Sequence, residues 1–147
     1  MINIDELIKV SILNKNTVET KVFRELKSEV LKFKTQKNAP EYTNSEEIKL
    51  IVKIIKTHEE SIEAYKSANR DDLVTSELEE VEILSSLIPK ASDQKSIINS
   101  LEVYLLSKYN ELSFPKKEMG IVIKYLKEKF PVNDGKELSE IVKKYIQ

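Results

Sequence analysis

The residues with chemistry to offer in this 147-residue chain are one histidine, two groups of glutamates and a late crowd of lysines. A lone imidazole, His58, rules out a two-histidine metal site, and a Ser-His-Asp arrangement would have to be built on it. His58 falls on the apolar stripe of a helix-period pattern, between Ile51 and Tyr65. Its expected role is therefore a partly buried histidine at a helix–helix seam, with a general base as the rival. Glu59–Glu60 and the run Glu77, Glu79, Glu80 and Glu82 could hold a divalent cation, but such runs fit a solvated helix face better. The chain has no cysteine, which removes disulfides, zinc-thiolate sites and thiol nucleophiles. Its two glycines do not cluster into a phosphate loop. No catalytic residue, no metal ligand and no cofactor is expected.

Nucleic-acid binding is the one chemistry with residues behind it. Lys116, Lys117, Lys124, Lys127, Lys136, Lys143 and Lys144 crowd the last third, with Tyr125 and Tyr145 among them. Residues 1–89 carry a net charge of −4 and residues 90–147 carry +3, within an overall −1. Lysines neutralise phosphates, and a helix start at Asp134–Gly135 has free backbone N–H groups, which the Asp134 carboxylate itself can take up. Lysine outnumbers arginine 22 to 2, so bidentate base reading is scarce and binding should favour backbone and shape. The rival is an ordinary solvated surface.

Helices must position these groups, because the turn residues of a closed β fold are missing: two glycines and four prolines supply few tight turns. Ile4, Leu7 and Ile8 open a first helix ending near Asn14–Asn16. Asn16 with Glu19 and Thr43 with Glu46 have capping-box spacing at the next two starts. The second helix runs through Val22, Leu26, Val30 and Phe33. The third has the cleanest stripe, Ile48, Ile55 and Ile62 interleaved with Ile51, His58 and Tyr65. Asn69 can take the left-handed conformation that ends it. A fourth helix from Asp71 puts Leu73, Leu78, Val81, Leu84 and Ile88 inward and its glutamates mostly outward, and Pro89 stops it. Ser92 is the expected cap of a fifth helix bearing Ile97, Leu101 and Leu105. Pro115 starts a sixth with Met119, Gly120, Val122 and Leu126, and Pro131 interrupts it. Asp134, with Glu137, caps a last helix buried through Leu138, Ile141, Val142 and Tyr145. Gly120 suggests a close helix approach.

The expected fold is all-α: a helical N-terminal domain over 1–90 and a small three-helix tail domain over 91–147. No apolar run approaches the ~20 residues needed to cross a bilayer. The N-terminus, with Asp5 and Glu6, lacks the basic-then-apolar order of a signal peptide. A cytoplasmic location without membrane contact is expected.

The segment Asn69-Arg70-Asp71-Asp72-Leu73, followed by Glu77, Glu80, Ile83-Leu84, Leu87 and Pro89, resembles the central signature of the GatB/YqeY family. Met119-Gly120 and Asp134-Gly135 resemble its later motifs, and Arg24 falls where the family tends to have arginine in its second helix. These are free-standing relatives of the C-terminal tail of the B subunit of the tRNA-dependent amidotransferase, and the resemblance spans almost the whole chain. It implies an all-helical domain joined to a small helical tail that helps hold tRNA, while amide transfer belongs to other parts of the large enzyme. A glutamine-dependent carbon–nitrogen ligase activity would be inherited from catalytic relatives, since a glutaminase nucleophile has no counterpart here. The chain departs from the family at His58, often another basic residue, at Asn69, commonly glycine, and at Phe130-Pro131-Val132-Asn133, where relatives have a Gly-Arg-like turn. The Arg70–Asp72–Leu73 group also fits a structural role, Asp72 in a first helical turn and Arg70 beside carboxylates. The expected function is a non-catalytic tRNA- or RNA-binding accessory protein. The alternative is an interaction module docking an aminoacyl-tRNA synthetase or amidotransferase subunit through an apolar strip around Phe114 and Tyr125. An autonomous amidotransferase using His58 comes last.

Overall fold

The computed structural model describes residues 1–147 and is all-α, with no strand beyond one isolated bridge. The chain divides into two compact units, Met1–Pro89 and Lys90–Gln147. The first holds α1 (Ile4–Leu13), α2 (Thr17–Thr35), α3 (Asn44–Ser67) and α4 (Asp71–Ser85). The second holds α5 (Gln94–Tyr109), a 3₁₀ turn (Lys116–Glu118), α6 (Met119–Lys129) and α7 (Gly135–Lys143).

Side-chain caps set most of the starts. The Asn16 side chain accepts the Glu19 N–H at 3.1 Å, and Thr43 accepts that of Glu46 at 3.3 Å. α5 begins one residue later than expected: Asp93, not Ser92, accepts the Ser96 N–H at 2.8 Å. Ser92 is instead held by the buried Asn133 side chain, which accepts its N–H and donates to its carbonyl. At α7, Asp134 accepts the Lys136 N–H at 3.0 Å, while Glu137 faces Asn133 and completes no capping box. Asn69 (φ 57°) and Asn110 (φ 60°) take the left-handed conformation after α3 and α5.

The core of the first unit joins Val22, Phe23, Leu26 and Val30 of α2 to Ile51, Ile54 and Ile55 of α3 and Leu84 of α4. The expected stripe on α4 is wrong at three positions. Leu78 is 51% exposed, whereas Glu80 is only 2% exposed and Glu77 is half-buried. At about 100° per residue, Glu77, Glu80 and Leu84 fall within about 40° of Leu73, and Leu78 falls about 140° away. The inward face is therefore Leu73, Glu77, Glu80 and Leu84.

The second unit closes on Ile97, Leu101, Leu105, Val122, Leu126, Leu138 and Val142. Phe114 joins them at 0% exposure, so it forms no exposed strip. A parallel bridge with Ile146 fixes it, the Phe114 N–H donating to the Tyr145 carbonyl and the Gln147 N–H to the Phe114 carbonyl. Tyr145 lies beyond α7, half-buried, its hydroxyl donating to Glu102 at 2.8 Å. Gly120 is exposed with nothing within 4 Å of where a Cβ would stand, so no helix approaches it.

Candidate functional site

The lysines of the second unit sit on short elements that expose them. Lys116 and Lys117 form the 3₁₀ turn after Pro115, whose missing N–H costs nothing at a helix start. Lys124 and Lys127 stand three apart on α6, on one face. Lys136 is in the first turn of α7, and Lys143 and Lys144 are at its end, where positive charge complements the helix dipole. All seven are exposed, as are Lys90, Lys95, Lys108 and Lys129, and none takes part in an ion pair. One of them reaches the start of the next helix. The Lys127 Cε and Nζ lie 3.2 and 3.5 Å from the Cβ position of Gly135, the residue before Lys136. Glycine thus leaves room for a lysine of α6 over the start of α7. Tyr125 is not splayed outward: it stacks on Tyr104, centroids 4.0 Å apart, with Lys129 near its ring at 5.9 Å.

The first unit spends its charges differently. His58 is buried on α3, as the stripe predicted, with one ring nitrogen toward each neighbouring helix. Nδ1 faces α4, hydrogen-bonded to Glu77 and 3.3 Å from Glu80 Oε2. Nε2 faces α2, 3.2 Å from Glu25 Oε2. Lys21, one turn before Glu25, donates to Glu80 Oε1 at 2.5 Å. Burial acts most strongly on His58 and would lower its pKa, but the Glu77 hydrogen bond and the charges of Glu25 and Glu77 outweigh it, so the net direction is up from 6.5. The hydrogen bond to Glu80, and then that carboxylate's charge against the cost of burial, raises Lys21. With both ring nitrogens occupied by carboxylates, His58 is not poised as a general base. Glu59, Glu60, Glu79 and Glu82 are solvated, as expected of a helix face. Glu25, Lys21 and the inward turn of Glu77 and Glu80 were not anticipated; the angular register of the two glutamates with Leu73 and Leu84 is the one sequence signal that carried them.

Against family profiles, the chain matches the one described as Yqey-like protein over residues 2–146. The chain belongs to the YqeY-like family. No curated protein matches it. The residues of this YqeY-like protein that resemble family motifs fall into separate settings. Arg70 precedes α4 and grips the Asp72 carboxylate through Nε at 3.3 Å and Nη2 at 3.2 Å, both side chains exposed. That hydrogen bond, more than the small opposing desolvation, holds the Asp72 carboxyl below its usual range. Leu73 is half-buried, and Glu77 and Glu80 belong to the His58 cluster. Pro89 is exposed at the end of the first unit. Met119 packs on the second core, Gly120 is open, and Asp134–Gly135 begin α7. Arg24 is exposed on α2, lining a shallow cleft with Lys15 and Lys21. No helix is long and apolar enough to cross a membrane.

Proposed function

We infer that this YqeY-like protein is a cytoplasmic, non-catalytic accessory protein that binds tRNA or another structured RNA through its C-terminal unit, in keeping with its resemblance to the amidotransferase B-subunit tail. One observation carries this: every lysine of that unit is exposed and outside any ion pair, while the first unit binds many of its cations to carboxylates. Ammonium groups outside ion pairs give up no carboxylate partner when they meet phosphate, and each contact releases a condensed counterion. Lys127, lying over Gly135 at the start of α7, Lys136 in that helix's first turn and Lys124 one turn back on α6 are the centre of the contact. Lys116, Lys117, Lys143 and Lys144 extend it. Few arginines leave it reading backbone and shape. Retardation of tRNA by the full chain at low salt tests this. Wild type should shift tRNA, and the triple variant Lys124→Glu, Lys127→Glu, Lys136→Glu should shift it only at far higher protein concentration. An unshifted tRNA with folded wild-type protein would overturn it.

A second reading, docking of a synthetase or amidotransferase subunit, draws on three apolar side chains. Val103 and Leu106, one turn apart on α5, are 68% and 49% exposed, and Ile121 on α6 is 50% exposed. A pull-down that recovers RNA and no protein partner would count against it.

A further inference from the structure

The His58 cluster has fewer donors than its carboxylates can use. Three glutamates from two helices surround one imidazole, which has at most two N–H groups. One goes to Glu77 and the other faces Glu25. Lys21 serves Glu80 Oε1, leaving Glu80 Oε2 buried and without a hydrogen bond, aimed at the imidazole. An unserved buried carboxylate oxygen is costly. Charge is also unbalanced. Three carboxylates against the Lys21 ammonium leave two negative charges, and an imidazolium returns only one. A divalent ion on a neutral imidazole returns both.

The geometry points to a zinc-class divalent metal site formed by Glu25, His58 and Glu80. One ligand atom from each lies within 4.8 Å of the others. The 3.2 Å from His58 Nε2 to Glu25 Oε2 is long for a charged hydrogen bond. It is close to the roughly 3.3 Å between two ligands of a tetrahedral zinc with bonds of about 2.0–2.1 Å. The metal takes Nε2 and Glu25, and Glu80, whose free Oε2 now lies 3.3 Å from Nδ1, swings from that side of the ring to join them. Nδ1–H donates to Glu77, the carboxylate that orients a liganding histidine. Half-exposed Glu25 gives an entry path and leaves a fourth position to water. One imidazole with carboxylates suits Zn²⁺ better than Mg²⁺, which keeps its waters in an octahedron of oxygens.

Calorimetric titration of the chelator-stripped full chain with Zn²⁺ tests the site, with Co²⁺ as a spectroscopic probe. One equivalent should bind, Co²⁺ should show tetrahedral visible bands, and Mg²⁺ should not compete. Glu25→Gln, at a half-exposed position and with its fold checked by circular dichroism, should abolish the one-equivalent binding. Glu77→Gln should keep the stoichiometry and weaken affinity about 10–100-fold. No saturable Zn²⁺ binding, or binding unchanged in Glu25→Gln, would overturn the site.

Discussion

Lys21 on α2 and Glu80 on α4 meet at 2.5 Å with opposite exposures: the lysine side chain is 68% exposed and the glutamate 2%. The two ends of this ion pair are therefore not equivalent. Removing the exposed cation strands a buried carboxylate; removing the carboxylate frees a lysine that water can solvate.

Lys21→Met should accordingly destabilise the first unit by about 1–3 kcal/mol, and Glu80→Leu should lie within about 1 kcal/mol of wild type. The lower range allows for the exposure of Lys21, since breaking a fully buried pair costs about 3–5 kcal/mol. Urea unfolding of the two variants in chelator checks the asymmetry. Equal losses would show that Glu80 does not depend on Lys21.

The pH dependence of the metal-free protein follows from His58. Glu25 faces it from α2, and Glu77 and Glu80 from α4, with Lys21 held on the other oxygen of Glu80, and its folded pKa is above the unfolded 6.5. A raised pKa gives stability that is fully present below pH 6.5 and is lost as pH rises through the folded value. In chelator, the urea midpoint of wild type should fall from pH 6 upward through that window, while His58→Gln stays flatter. A wild-type midpoint that rises over the window would contradict the direction.

Gly120→Ala should stabilise the second unit. Nothing stands within 4 Å of the new Cβ, and alanine loses less backbone entropy than glycine on entering a helix. The expected gain is about 0.5–1 kcal/mol in the unfolding of this unit, with unchanged RNA binding. A loss of stability would mean that the backbone at Gly120 needs glycine after all.

Much of the fold was legible where the signal is local. Asn16, Thr43, Asp134 and Asn69 each act within a few residues of themselves, and the α3 stripe placed His58 on a buried face. What was missed is set by distant partners. Glu80 can turn inward because Lys21 and His58, 59 and 22 residues earlier, come to meet it. Residue type pulled Leu78 in and Glu80 out, although helix angle placed them the other way. Phe114 lies in no helix, and a backbone bridge to Ile146, 32 residues later, holds it where it joins the unit's core. Gly120 looked like a packing glycine, and only its surroundings show that nothing packs there.

The central claim, that phosphate contact belongs to the lysines of the second unit, is tested most directly by the salt dependence of tRNA affinity for wild type and the Lys124→Glu, Lys127→Glu, Lys136→Glu variant. Each phosphate neutralised contributes about 0.7–0.9 to the slope of log K against log salt. Wild type should show a steep negative slope, and the variant a slope shallower by about 2–3 and a far weaker affinity at low salt. Binding that is absent in wild type, or present with the same slope in both proteins, would contradict it.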